Sequence, residues 1–305
     1  MANAVLTLPI TKINEMKTHY QRYLKPSPPA GALFAAKGPT YSITAYKSGK
    51  VLFQGQTGEQ EAARWGDAEQ KTKKVSSPSN KSLPQNISQM SIIGTDEVGT
   101  GDYFGPITVV AAYVSNDQLQ LLKELGVKDS KHLNDETIVK IAKDLIHTIS
   151  YSLLTLPNEK YNAKQQQGWT QGKIKAVLHN QAILHLRKKI APVTPECVLI
   201  DQFAEEKVYY RHISGEKAIY RENVYFSTKA EGIHLAVAAA SIIARYAFIK
   251  AMDQLSEEAG FTLPKGAGAK VDQAAARLIR SKGESSLEHF TKRHFANTQK
   301  AMKLV

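Results

Sequence analysis

Cysteine occurs once in this sequence, at Cys197, between Pro195-Glu196 and the apolar run Val198-Leu199-Ile200. No disulfide framework can therefore staple the fold, and a thiol in such surroundings reads as a core group rather than a nucleophile. None of the nine histidines stands at the spacing of a zinc site, which argues against that metal. No apolar run approaching a membrane span stands out, and the opening MANAVLTLPITK lacks the basic start and long apolar stretch of a secretory signal. The expectation is a cytoplasmic protein with no membrane partner. Acidic residues are also scarce: 28 Asp and Glu face 40 Lys and Arg, leaving a formal charge of +12. Such an excess favours polyanionic partners, because each neutralised phosphate releases condensed counterions, although a basic surface also serves plain solubility.

What is present divides into three stretches. Residues 71–90, KTKKVSSPSNKSLPQNISQM, carry four lysines, no acid and almost no apolar periodicity, and read as a linker. Before it, residues 1–70 suggest a small α+β unit on an antiparallel sheet. INEMKTHYQRYL repeats apolar residues at helical spacing; ALFAAK, YSITAYK and KVLFQG are strand candidates, the last two joined by a Ser48-Gly49 turn; GEQEAARW reads as a second helix. The strand ends near that turn bring Tyr41, Tyr46, Lys47 and Lys50 together, an aromatic and basic mixture suited to a sugar-phosphate backbone, although tyrosine on a small sheet also serves as packing. After the linker, residues 91–305 alternate strands with long helices. MSIIGT, ITVVAAYV, SYSLLTL and ECVLID are strands; NDETIVKIAKDLIHTI, residues 170–190 and an Ala-rich segment after residue 232 are helices, Asn134 capping the first. The fold class is α/β with a mixed central sheet.

Two of these strands end in acids. Asp96 and Glu97 close the first, before Val98 and the turn Gly99-Thr100-Gly101; Asp201 closes ECVLID, and Glu205 follows four residues later. Carboxylates gathered at one sheet rim are candidate ligands for hard cations, and one helical turn from Asp201 would put Glu205 on its side. Asp96 and Glu97 point to opposite faces of a regular strand, so reaching one site together requires a bend, for which the glycine turn is the place. Solvated acids at strand ends remain the plainer reading. The Lys128–Lys131 loop, KDSK, offers Lys128, Ser130 and Lys131 as phosphate contacts, and Ser241 in the Ala-rich helix is a candidate to face the site.

These stretches resemble the type 2 ribonuclease H family, and its HIII branch in particular. GTDEVGTGDYFGPI, VKDSKHLND, VLIDQF, AAASIIARYAF, LPKGAGA and HFANTQKA occur in family order over residues 91–300. The resemblance implies a ribonuclease H-like catalytic domain (91–305), a linker (71–90) and a TATA-box-binding-protein-like substrate domain (1–70). It implies hydrolysis of the RNA strand of RNA/DNA hybrids, leaving 5′-phosphate and 3′-hydroxyl ends, by a monomer with two Mg²⁺ or Mn²⁺ ions. It assigns Asp96, Glu97, Asp201 and Glu205 to the metals and to catalysis, and Gly99, Thr100 and Gly101 to the ribose 2′-hydroxyls. Ala267 stands where relatives that cut at single embedded ribonucleotides carry a tyrosine. The rivals are such an HII-like enzyme and a nucleic-acid-binding protein without catalysis.

Overall fold

The computed structural model describes residues 3–29, 31–66, 82–128, 130 and 133–305. The chain divides into two compact units, Met1–Pro78 and Ser79–Val305. Most of the expected linker, and Lys131 of the expected phosphate loop, lie outside the described residues.

The first unit runs β1 (Asn3–Thr7), α1 (Ile10–His19), β2 (Ala32–Lys37), β3 (Tyr41–Tyr46), β4 (Lys50–Gly55) and α2 (Gly58–Ala63). Its strands form one antiparallel sheet in the order β1-β4-β3-β2. Only β1 is absent from the sequence expectation; its neighbours in the sheet lie some fifty residues away, as Val5 opposite Leu52 shows. Alternation then sorts the side chains. Leu6, Ile43, Ala45, Val51 and Phe53 meet Ile13 and Met16 of α1 in a common core, so Val5, Thr44, Tyr46, Lys50 and Leu52 fall on the opposite face, which no described helix covers.

The second unit contains β5 (Ile92–Val98), β6 (Ile107–Val114), α3 (Leu119–Glu124), α4 (Asp135–Thr148), β7 (Ser150–Leu156), α5 (Asn158–Gln166), α6 (Gln171–Ile190) and β8 (Cys197–Asp201). Then follow α7 (Glu206–His212), β9 (Val224–Ser227), α8 (Leu235–Ala259), α9 (Ala269–Lys282), α10 (Leu287–Phe290) and α11 (Ala296–Met302). The sheet order is β7-β6-β5-β8-β9. β5 pairs antiparallel with β6 and parallel with β8, so the sheet is mixed and β5 is central.

Both faces are covered. Ile92, Val110, Ala112, Cys197 and Leu199 pack on α4 and α8. Ile93, Val109, Ala111, Val198 and Ile200 pack on α6 and α7. The cysteine is thus a core residue, and burial pushes its thiol up to about 12. Gly94 lets α8 lie against β5: a Cβ there would fall into the backbone of Ala236 and Val237. Contrary to the sequence expectation, α8 is long and apolar enough to cross a membrane by length and composition, with 67% of its most apolar window buried inside the protein. Its central place against β5 and β6 accounts for that composition.

Candidate active site

The acids sit where the central strands stop. In the β5–β8 ladder Thr95 lies opposite Ile200, so Asp96 and Asp201 are the next pair along. Parity puts both on the α8 face, since Leu199 and Ile92 belong to the α8 core and the Ser241 hydroxyl of α8 donates to Asp96. Asp96 is 8% exposed. Burial, then the charges of Glu97 and Asp201, hold its carboxyl well above the ordinary carboxylate range, against the hydrogen bonds of Ser241 and of the Glu97 main chain. Asp201 accepts from the main-chain N–H of Ala230 at 2.8 Å, which fixes its Oδ1.

Glu97 lies opposite Val109 in the antiparallel β5–β6 ladder and points to the α6 face. The strand does not bend before it; the turn begins afterwards, at Gly99. There Lys175 donates to Oε1 at 2.8 Å and His179 Nε2 lies 3.0 Å from Oε2. The other nitrogen of His179 is 2.9 Å from the Thr95 hydroxyl, two residues back on the same strand face. Burial alone would raise the Glu97 carboxyl, but His179 and Lys175 overcome it and bring it to about 2. Among the described residues no three His, Cys, Asp or Glu side chains form a ready metal cage. Asp96 and Asp201 share one face, and Glu97 is held from the other.

Glu205 is exposed and occupies the N-cap position of α7 without bonding the helix's free N–H groups. The expectation of one helical turn between Asp201 and Glu205 is corrected: the helix starts at Glu206, and Glu205 arrives on a loop. Its backbone is extended, with φ −63° and ψ 146°, so helical spacing does not relate it to Asp201.

The glycine turn separates into two cases. Gly99 has φ +95°, and a Cβ there would meet the Pro106 carbonyl oxygen, so its own chain demands glycine. Among the described residues, no atom lies within 4 Å of where a Cβ on Gly101 would stand. Between them, the Thr100 carbonyl accepts from Gln171 Nε2 at 3.0 Å. Lys292 is fully buried beneath the same turn and donates to the carbonyls of Asp102, at 2.9 Å, and Gly105. Burial pulls its ammonium down to about 7, with Asp102 partly opposing. On the other side, Asp102 Oδ1 accepts from the Gly266 N–H at 2.6 Å, joining the turn to the LPKGAG loop.

Of the expected phosphate loop, Lys128 is exposed. Ser130 is corrected: it is 6% exposed, its hydroxyl lies 2.9 Å from that of Ser241 and donates to Glu231 at 3.3 Å. It supports the serine beside Asp96 and has no free hydroxyl for a phosphate. Arg245 holds the loop by donating to Ser130 O at 2.7 Å and to Asp135 at 2.8 Å, and Lys265 also pairs with Asp135.

In the first unit Tyr41 is partly buried and packs against the core. Its ring packs edge-on against Tyr20 and Tyr23, with centroids 5.8 and 6.2 Å away, on the helix-covered side. Tyr46 and Lys50 line a shallow pocket on the uncovered face with Val5, Gly31, Ser48 and Leu52, and Lys47 is exposed at the turn. Sequence reading misses Lys175, His179, Gln171 and Lys292 because each is an ordinary helix or loop residue until the fold brings it to the acids or the turn. The one local signal was Lys175 and His179 at i, i+4 on α6.

A mixed sheet with helices on both faces and carboxylates closing its adjacent central strands defines a ribonuclease H-like nuclease fold. Two family models match, ribonuclease HII over residues 93–298 and a domain of unknown function (DUF3378) over residues 3–78. A ribonuclease HIII of Bacillus subtilis is 59% identical over 100% of this chain and 98% of its own length. A crystal structure of Bst-RNase HIII in complex with Mn²⁺ superposes with TM-score 0.70 at 47% identity, covering 99% of each chain. The ribonuclease H2 of Pyrococcus horikoshii shares the fold at 22% identity, TM-score 0.57, over 70% of this chain and 98% of its own. The chain belongs to the type 2 ribonuclease H family, in its ribonuclease HIII branch.

Proposed function

We propose that this chain is a metal-dependent endoribonuclease that hydrolyses the RNA strand of RNA/DNA hybrids, leaving 5′-phosphate and 3′-hydroxyl ends. The observation that carries this reading is the in-register pair Asp96 and Asp201 on one face at the rim of the central sheet. Asp96 resists ionisation there because it is buried and faces other carboxylates, so a divalent cation at this rim would relieve that repulsion. An all-oxygen donor set suits Mg²⁺ or Mn²⁺, and the related Bst enzyme was crystallised with Mn²⁺. Asp96 and Asp201 would hold such ions, with Glu97 and Glu205 completing the set. When bound, two such ions activate the attacking water and stabilise the leaving 3′ oxygen.

The chain's own residues supply orientation. Ser241 and the Glu97 N–H fix Asp96; Ala230 fixes Asp201; Lys175 and His179 fix Glu97. Gly101, which no atom of the described residues crowds, leaves room for a ribose to approach the main chain, where a 2′-hydroxyl distinguishes RNA from DNA. Lys128, exposed at the rim loop, is the phosphate contact. The first unit would grip the duplex through its uncovered sheet face with Tyr46, Lys47 and Lys50.

A substrate panel in Mg²⁺ and Mn²⁺ tests this: hybrid duplex, a DNA duplex holding one ribonucleotide, and double-stranded RNA. Fast cleavage is expected on the hybrid alone, because Ala267 offers neither a stacking ring nor a phenol to a single RNA-to-DNA junction. Asp201→Asn is expected to abolish hybrid cleavage while leaving hybrid affinity within about twofold, since phosphate contacts elsewhere supply the binding. Near-normal turnover by that variant refutes the assignment of the rim.

A further inference from the structure

The second unit carries a strip of charge that the cleavage site does not use. No Asp or Glu stands between Lys160 and Glu196, whereas Lys160, Lys164, Lys173, Lys175, Arg187, Lys188 and Lys189 all do. Lys175 is committed to Glu97. Lys164 and Lys173 have no carboxylate partner among the described residues, and both ammoniums lie over the Trp169 ring instead, 4.6 and 4.2 Å from its centroid. Lys164 also donates to the neutral Gln167 side chain at 3.3 Å. The charges of Lys173 and Arg211 also hold His212 below its ordinary value, after burial, so cations surround this spot.

Its position gives the strip a meaning. Trp169 is half-buried in the turn between α5 and α6, and it packs on the same core as α6. Two residues on, Gln171 opens α6 and donates to the Thr100 carbonyl at 3.0 Å. The platform is thus built on the element that holds the glycine turn, with a packed aromatic fixing two cations that would otherwise sweep through solvent.

We propose that Trp169, Lys164 and Lys173 form a binding step for the phosphodiester backbone of the hybrid duplex beside the glycine turn. The lysines contact phosphates and the indole edge supports a sugar. The occupant follows from charge complementarity and from continuity with the turn, and the proposal rests on the hybrid-cleaving reading above. The step adds affinity and register but touches no reacting atom.

Trp65 and Trp169 are the only tryptophans in the chain, so Trp65→Phe leaves Trp169 as the sole reporter. Titration of that chain with hybrid, without divalent metal, is expected to change Trp169 emission saturably, with the midpoint given by the anisotropy of labelled hybrid. In the parental chain, the Lys164→Ala/Lys173→Ala variant is expected to bind hybrid roughly three- to tenfold more weakly at physiological salt, with the slope of log affinity against log salt reduced by about 1–2. Its turnover at saturating hybrid should be unchanged. Hybrid that binds without altering Trp169 emission overturns the proposal, as does a double variant that keeps both affinity and slope. Failure of the parental chain to bind hybrid at all overturns the hybrid-cleaving reading itself, a result distinct from either of these.

Discussion

Lys175 Nζ lies 2.8 Å from Oε1 of Glu97, and both side chains are nearly buried, at 13% and 10% exposure. The carboxylate already has His179 on its other oxygen, so each of its oxygens is engaged. A depressed folded-state value means that Glu97 stabilises the fold above the unfolded carboxylate range, near 4.5, and that this contribution is lost as pH falls towards about 2. Lys175→Met should therefore lower stability at pH 7 by ~3 kcal/mol, the cost of leaving one partner of a buried pair alone. Urea denaturation at pH 7, and again at falling pH, is the measurement. The gap between parent and variant should close below pH 4.5; a constant gap would show that the lysine acts through packing.

Asp96 behaves in the opposite sense. Its folded-state value is raised, chiefly by burial and by Glu97, so the fold favours the protonated acid and loses stability as pH rises through that value. Asp96→Asn is expected to abolish cleavage and yet raise the metal-free Tm at pH 7 by about 2–4 °C, the shift that ~1 kcal/mol produces in a unit of this size. Calorimetry with chelator present decides the point. A lower Tm would mean that the carboxylate's hydrogen bonds from Ser241 and Glu97 outweigh its repulsion.

The two glycines of the turn should part company on substitution. Gly99→Ala forces an alanine to φ +95° against the Pro106 carbonyl, and should cost at least ~1–3 kcal/mol of stability. Gly101→Ala meets nothing among the described residues, and should stay within about 0.5 kcal/mol of the parent. Its kcat/KM on hybrid should nevertheless fall by at least about tenfold, because the new methyl occupies the approach of the ribose. Equal stability losses, or an unimpaired Gly101→Ala enzyme, would remove the turn from substrate recognition.

Deletion of residues 1–80 is expected to raise KM for long hybrids by about tenfold or more while changing kcat less than about twofold, since the acids all lie in the second unit, Ser79–Val305. Steady-state kinetics over a range of salt concentrations tests this. A KM that does not move at any salt concentration removes the first unit from substrate binding.

The sequence by itself determined much of this protein. Apolar alternation and helical spacing placed β6 and β7, α4, α6 and α8, and Asn134 caps α4 by accepting from Thr137 as its residue type implied. The acids at the ends of β5 and β8, and the glycines after β5, were legible because strand ends and turns are local properties of the chain. Parity was legible too: adjacent residues of a strand must point to opposite faces, and Asp96 and Glu97 do. Local pattern could not say which partner waits on each face. Only the packing of α6 gave Glu97 its lysine and histidine, and only α8 brought Ser241 to Asp96 and buried Ser130 behind it. Tyr41 and Tyr46 lie on one strand with similar chemistry, yet packing α1 on one face of the sheet set the first, partly buried, against the core and left the second lining a pocket on the other face. The charge of Lys292 and its buried place under the glycine turn join residues nearly two hundred positions apart. Such pairings are fixed by chain topology and by the need to satisfy every buried polar group, and neither is written in a window of neighbouring residues.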